Sequence, residues 1–124
     1  MVGAASPPGS ASVVAYVPDL MDRSRVEMAC RRAGRTVDFV ARPADLAPAV
    51  AHGARFVVVD LAPAGVLDVL SHLAPAHTVG FASHVDTTLL DAARAAGCDE
   101  VLARSTVFRR LARTPGAPDG DPGG

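Results

Sequence analysis

Several short apolar runs in this 124-residue chain end in residues able to do chemistry. Val17-Pro18-Asp19 closes the first, Asp60 ends RFVVVD, Ser83-His84 follow GFA, and Arg104-Ser105 follow EVLA. Two carboxylates, a hydroxyl and a cation, each at the end of an apolar run, are the parts of a site for an anion and a metal ion. Each also has a plainer reading. Asp19 suits a helix N-cap, Asp60 a cap or a loop-ordering carboxylate, and Ser83 a turn hydroxyl. His84 reads as a solvated loop histidine at the mouth of such a site. With His52, His72 and His77 it forms no i,i+4 pair, so the spacing does not suggest a metal cluster. No GxGxxG, GxSxG or P-loop pattern occurs.

Composition excludes several functions. The 12 basic residues, all arginine, balance 13 acids to a net charge of −1, which gives no general drive toward nucleic acid or a membrane surface. Without lysine there is no Schiff-base chemistry and no P-loop lysine. The clusters Arg31-Arg32-Arg35 and Arg109-Arg110-Arg113 read as solvated helix ends, where cations meet the helix dipole favourably. Cys30 and Cys98 lie far apart with no metal-ligand spacing, as in a reduced protein with two small core thiols. MVGAASPPGSAS lacks the features of a secretory signal, and no apolar run approaches the ~20 residues of a membrane-spanning helix. A cytoplasmic protein with no membrane contact is expected.

The elements that must position those residues alternate along the chain. Ser12–Val17 reads as a strand buried on both faces. A helix follows, with Val26, Ala29, Cys30 and Ala33 on its inner face and Gly34 ending it. Thr36–Ala41 suits an edge strand, and Asp45 can cap a short helix that Gly53 stops. Arg55–Asp60 is the clearest strand. Pro63 is expected to start a helix with Val66, Val69, Leu70 and Leu73 inward and Pro75 as its stop. His77–Ala82 forms a fourth strand, Asp86 caps a helix carrying Leu89, Leu90, Ala93 and Ala96, and Glu100–Ala103 is a fifth strand. STVFRRLAR then allows only about two helical turns, with Phe108 plugging the sheet. Residues 1–11 read as a flexible leader, 12–113 as one folded domain, and 114–124 as a disordered Pro/Gly/Asp tail. Five strands joined by helices predict an α/β fold, a doubly wound parallel sheet of order 2-1-3-4-5, with ligands expected at the carboxyl ends of strands 1 and 3.

The segments RFVVVDLAPAG, GFASH and AAGCDEVLARS give the chain its resemblance to the receiver domain of response regulators, from Ser12 to about Leu111. That resemblance implies a flavodoxin-like fold in which Asp60 accepts phosphate from a phosphohistidine. It further implies phosphate contacts from Ser83 and from Arg104, at the position of the family's lysine. An acidic pair after the first strand would hold Mg²⁺, which neutralises charge on the transferring phosphoryl group. Here Val17 and Pro18 stand in place of that pair. Asp19 is adjacent and, with Asp60, is what remains to hold the metal. The proline that usually follows the lysine is Ser105, Pro63 comes one residue early, and the last helix is shortened.

With one carboxylate where two belong, Mg²⁺ should bind weakly, and arginine's planar fork is not equivalent to an ammonium point charge. The leading expectation is therefore a stand-alone pseudo-receiver: a non-enzymatic signalling or protein-interaction module, with no attached output domain and no cofactor assigned. Its partner, or a second copy in a homodimer, would meet the face made by the fourth helix, fifth strand and fifth helix. Two alternatives stay open. One is a phosphorylatable single-domain response regulator with Asp60 as acceptor and Mg²⁺ as cofactor; the other is a small-ligand-binding flavodoxin-like protein.

Overall fold

β-Branched and aromatic residues dominate the runs that become strands. The computed structural model describes residues 13–113; the expected leader, Ser12 and the tail lie outside the described residues. Strands β1 (Val13–Tyr16), β2 (Val37–Phe39), β3 (Phe56–Asp60), β4 (His77–Ala82) and β5 (Glu100–Ala103) form one all-parallel sheet in the order β2-β1-β3-β4-β5. Between them run helices α1 (Leu20–Arg32), α2 (Leu46–Ala51), α3 (Val66–Leu70), α4 (Thr87–Ala95) and, after β5, α5 (Arg104–Leu111). This is the doubly wound architecture expected from the alternation of elements.

Two apolar layers sandwich the sheet. Val26, Ala29 and Cys30 of α1 and Val107 and Leu111 of α5 pack with Val58, Val79 and Phe81 on one face. Leu46 of α2, Val66 and Leu70 of α3 and Ala93 of α4 pack with Val57, Val59 and Leu61 on the other. β3 lies between β1 and β4, so it is buried at all five residues and its side chains alternate between the two layers. At the edge, β5 is half-buried throughout.

Local chemistry set most boundaries and misled at two. Asp19 caps α1 as its residue type suggests, accepting hydrogen bonds from the backbone N–H of Met21 and Asp22. Asp86 caps α4 through the N–H of Leu89. Asp45 was expected to cap α2 and does not. It ends a 3₁₀ turn (Pro43–Asp45) in helical backbone geometry, and its carboxylate pairs with Arg42 instead. The helix expected from Pro63 starts only at Val66. Gly65 adopts a left-handed conformation (φ 88°) just before it, so the chain turns rather than coils over 61–65. Val66, Leu70 and Leu73 are buried as expected, while Val69 is only partly so.

The short α5 is held at both ends. Arg110 donates from Nε and Nη2 to the Glu100 carboxylate (2.8 and 2.7 Å), and His77 Nε2 lies 2.6 Å from the same group. The Arg110 hydrogen bonds, with those of His77, hold the Glu100 carboxyl below the usual glutamate range despite its partial burial. Burial pushes both Cys30 and Cys98 up to about 11, so these thiols stay protonated near neutrality and serve as packing groups.

Gly80, in the middle of β4, is a place where any side chain would collide. A Cβ there would meet three atoms of the buried Leu61 side chain at 2.7–2.8 Å. Leu61 directly follows Asp60, so relieving the clash must move the loop beside that carboxylate. Gly80→Ala is expected to cost about 1–2 kcal/mol in urea unfolding and to shift the amide signals of Asp60 to Ala62. An unchanged unfolding midpoint would show that Leu61 can step aside freely.

Candidate functional site

Parallel register brings the expected site residues to one end of the sheet. Asp60 pairs with Phe81, and Ala82 pairs with Ala103, so Ser83 and Arg104 each stand one residue beyond neighbouring strands. Adjacent strands are ~4.8 Å apart, which puts the hydroxyl and the guanidinium within reach of each other. Arg104 Nη1 donates to Ser83 Oγ at 2.6 Å. The same guanidinium stacks over Phe81, 5.7 Å from the ring centroid.

The partner that completes this contact is Asp22. Arg104 Nε donates to Asp22 Oδ2 at 3.1 Å, joining the first turn of α1 to the start of α5 across 82 residues of sequence. Asp22 is only 6% exposed. Sequence reasoning passed over it, yet a signal was present. Asp22 stands four residues before Val26 and seven before Ala29, on the same inward stripe of α1. A carboxylate on an apolar stripe needs a buried partner. That partner is Arg104.

Asp60 is buried (5% exposed) at the end of β3, and its Oδ1 accepts the backbone N–H of Ala62 at 3.0 Å. It forms no ion pair with Arg104. Asp19 spends its carboxylate on the cap of α1. His84 is an exposed loop residue.

Where an acidic pair would sit, the structure places the apolar Val17 and the exposed Pro18. Val17 is fully buried, and its carbonyl accepts a 2.6 Å hydrogen bond from Arg23 Nε. Among the described residues, no three His, Cys, Asp or Glu side chains converge to hold a metal ion. A site for Mg²⁺ needs oxygen ligands drawn together, with carboxylates free to face the ion. These residues do not assemble one: Asp19 Oδ1 is committed to backbone N–H groups of α1, and Val17 and Pro18 bring no carboxylate.

A carboxylate, a hydroxyl and a cation gathered at the carboxyl ends of a 2-1-3-4-5 sheet define a doubly wound α/β protein of the flavodoxin-like kind. Within that class the fold is that of response-regulator receiver domains. An orphan response regulator of H. pylori superposes with a TM-score of 0.69 at 14% identity, covering 85% of this chain and 98% of that one. A response regulator receiver domain from Rhodospirillum rubrum gives 0.65 at 16% identity, over 81% and 89% of the two chains. A response regulator from Burkholderia pseudomallei, whose structure has a phosphorylated aspartic acid, gives 0.65 at 17% identity, over 80% and 65%. No protein-family model and no curated protein matches the sequence. The likeness is one of fold. Among the described residues no helix is long and apolar enough to cross a membrane.

Proposed function

We propose that this chain is a receiver-fold interaction module whose carboxyl-end crevice is closed by an internal ion pair instead of being switched by phosphorylation. One observation carries the reading: the Arg104 guanidinium is already held by Asp22 Oδ2 and Ser83 Oγ. The hydroxyl and cation that would bind phosphoryl oxygens are thus satisfied by the protein itself. A phosphoryl group on Asp60 would compete with both contacts, and among the described residues no three His, Cys, Asp or Glu side chains converge to hold the Mg²⁺ that would offset its charge. With no step left for the site to perform, the chain acts by contact. The edge made by α4, β5 and α5 supports a contact surface, because β5 is half-buried at every residue where β3 is buried at all. A protein partner or a second copy covers that edge.

Beryllofluoride with Mg²⁺, which imitates an aspartyl phosphate, tests the reading. Titration followed by amide NMR is expected to give no saturable shift at Asp60, Ser83 or Arg104, and acetyl phosphate to add no phosphoryl mass. A saturable change that disappears in Asp60→Ala would overturn it. Such a result would establish the alternative, a phosphorylatable regulator with Asp60 as acceptor, which the position of Asp60 at the carboxyl end of β3 favours.

A further inference from the structure

The arginines are distributed very unevenly. Nine of the 12 lie in residues 23–35 and 104–113, and those two stretches hold a single acid, Glu27. Two acids from outside them pair with these arginines, Asp22 with Arg104 and Glu100 with Arg110. Taken separately, each cluster is a solvated helix end. The fold removes that separation, because α1 and α5 pack side by side on the same face of the sheet. The two clusters meet there, and with Arg31, Arg104 and Arg110 paired to Glu27, Asp22 and Glu100, it is Arg25, Arg32 and Arg109 that line the junction.

Between these helices runs a groove of about 390 Å³. Buried Ala29 and the apolar side chains of Met28, Phe108 and Ala112 line it together with Arg25, Arg32 and Arg109. Met28 is 56% exposed; Leu20 and Met21 at the start of the same helix are exposed too, but Met28 alone of the three lines the groove. The three arginines are exposed, and none has an acidic partner among the described residues. Arg25 lies over the Phe108 ring, 5.7 Å from its centroid, so its stem extends the apolar lining while its charge stays at the edge.

We propose that this groove docks an acidic amphipathic helix of a partner protein. The apolar lining takes apolar side chains at i, i+3, i+4 and i+7, and the arginines pair with carboxylates flanking them. Methionine suits such a lining because its flexible thioether adapts to the side chain that arrives. A nucleic-acid strand fits less well, since phosphates would pair with the arginines but leave Met28 against a charged backbone. This surface is distinct from the crevice at Asp60 and does not depend on whether that residue is phosphorylated.

The test uses a labelled synthetic peptide of about 18 residues with leucine at the helical spacing and glutamate elsewhere, titrated into the full chain by fluorescence anisotropy. A scrambled peptide of the same composition and a single-stranded oligonucleotide serve as competitors, at about 150 mM salt to suppress long-range attraction. The patterned peptide is expected to bind at least about tenfold more tightly than either, a difference of about 1.4 kcal/mol. Met28→Glu and Arg109→Glu are each expected to weaken it about tenfold with unchanged circular dichroism and Tm, since both side chains are exposed. Arg94→Glu, on α4 across the sheet, should leave binding unaltered. Equal binding of the scrambled peptide, tighter binding of the oligonucleotide, or full affinity in Met28→Glu would each overturn the proposal. Self-association of the free chain that Met28→Glu abolishes would assign the groove to a second copy and overturn it equally.

Discussion

Phe81→Ala will lower the unfolding free energy by about 3–5 kcal/mol, the largest single loss expected in this chain. Phe81 is fully buried in β4, paired on one side with Asp60 and on the other with Leu102. Its ring tilts against Phe108, with centroids 6.3 Å apart, and supports the Arg104 guanidinium from below. Truncation therefore opens a cavity in the layer shared by α1 and α5 and removes the platform under the crevice. For a domain of roughly 100 residues each kcal/mol shifts Tm by about 4–8 °C, so the midpoint should fall by more than about 10 °C. Phe81→Leu keeps most of the volume and should recover most of the loss. In Phe81→Ala the Nε–H of Arg104 should also exchange faster with solvent. A loss below about 1 kcal/mol would mean that the layer closes over the gap, and the ring would no longer count as the support of the site.

Arg104→Ala is expected to cost about 2 kcal/mol. That loss lies between two limits: exposed ion pairs contribute about 0–1 kcal/mol, whereas breaking a buried pair costs about 3–5 kcal/mol. Here the Asp22 side chain is 8% exposed and that of Arg104 33%, so the carboxylate is stranded but the cation was never fully dry. The change also frees Ser83 Oγ. Replacing both partners with apolar groups, Asp22→Leu with Arg104→Met, should be nearly neutral, since no charge is then left buried without a partner. Urea unfolding of the two single variants and the double variant gives the coupling directly. A double variant as unstable as the two singles added together would show that the pair is incidental. The same double variant also removes the contacts that close the crevice, so any response to beryllofluoride gained with it would identify the ion pair as what blocks the site.

Much of this fold could be read in the chain before any coordinates. FVVVD names a central strand because three β-branched residues in a row leave no polar face for water, and only a strand covered on both sides accepts that. Asp19 and Asp86 announce helix starts because their short carboxylates reach the orphan N–H groups of the first turn. Asp45 failed the same rule. A residue type permits a cap, but Arg42 three residues earlier offered that carboxylate a competing partner. Pro63 failed as a helix start because Gly65 two residues later takes a left-handed turn instead.

The candidate site divides along the same line. Asp60, Ser83 and Arg104 were legible because each ends a strand or follows one, and parallel strands bring their carboxyl ends to one edge. Their partners were not. Whether Arg104 faces Asp60 or Asp22 depends on how α1 lies across the sheet, and helix packing is a property of whole surfaces rather than of neighbouring residues. The basic groove is decided in the same way, since Arg25 and Arg109 are 84 positions apart and meet only because α1 and α5 share a face. By itself the sequence determined the periodicities, the strand ends and the types of group gathered there, all of which follow from local spacing. Only the tertiary structure decided which charge meets which. Ion pairs form across the distances that packing sets, and no short window of sequence contains those distances.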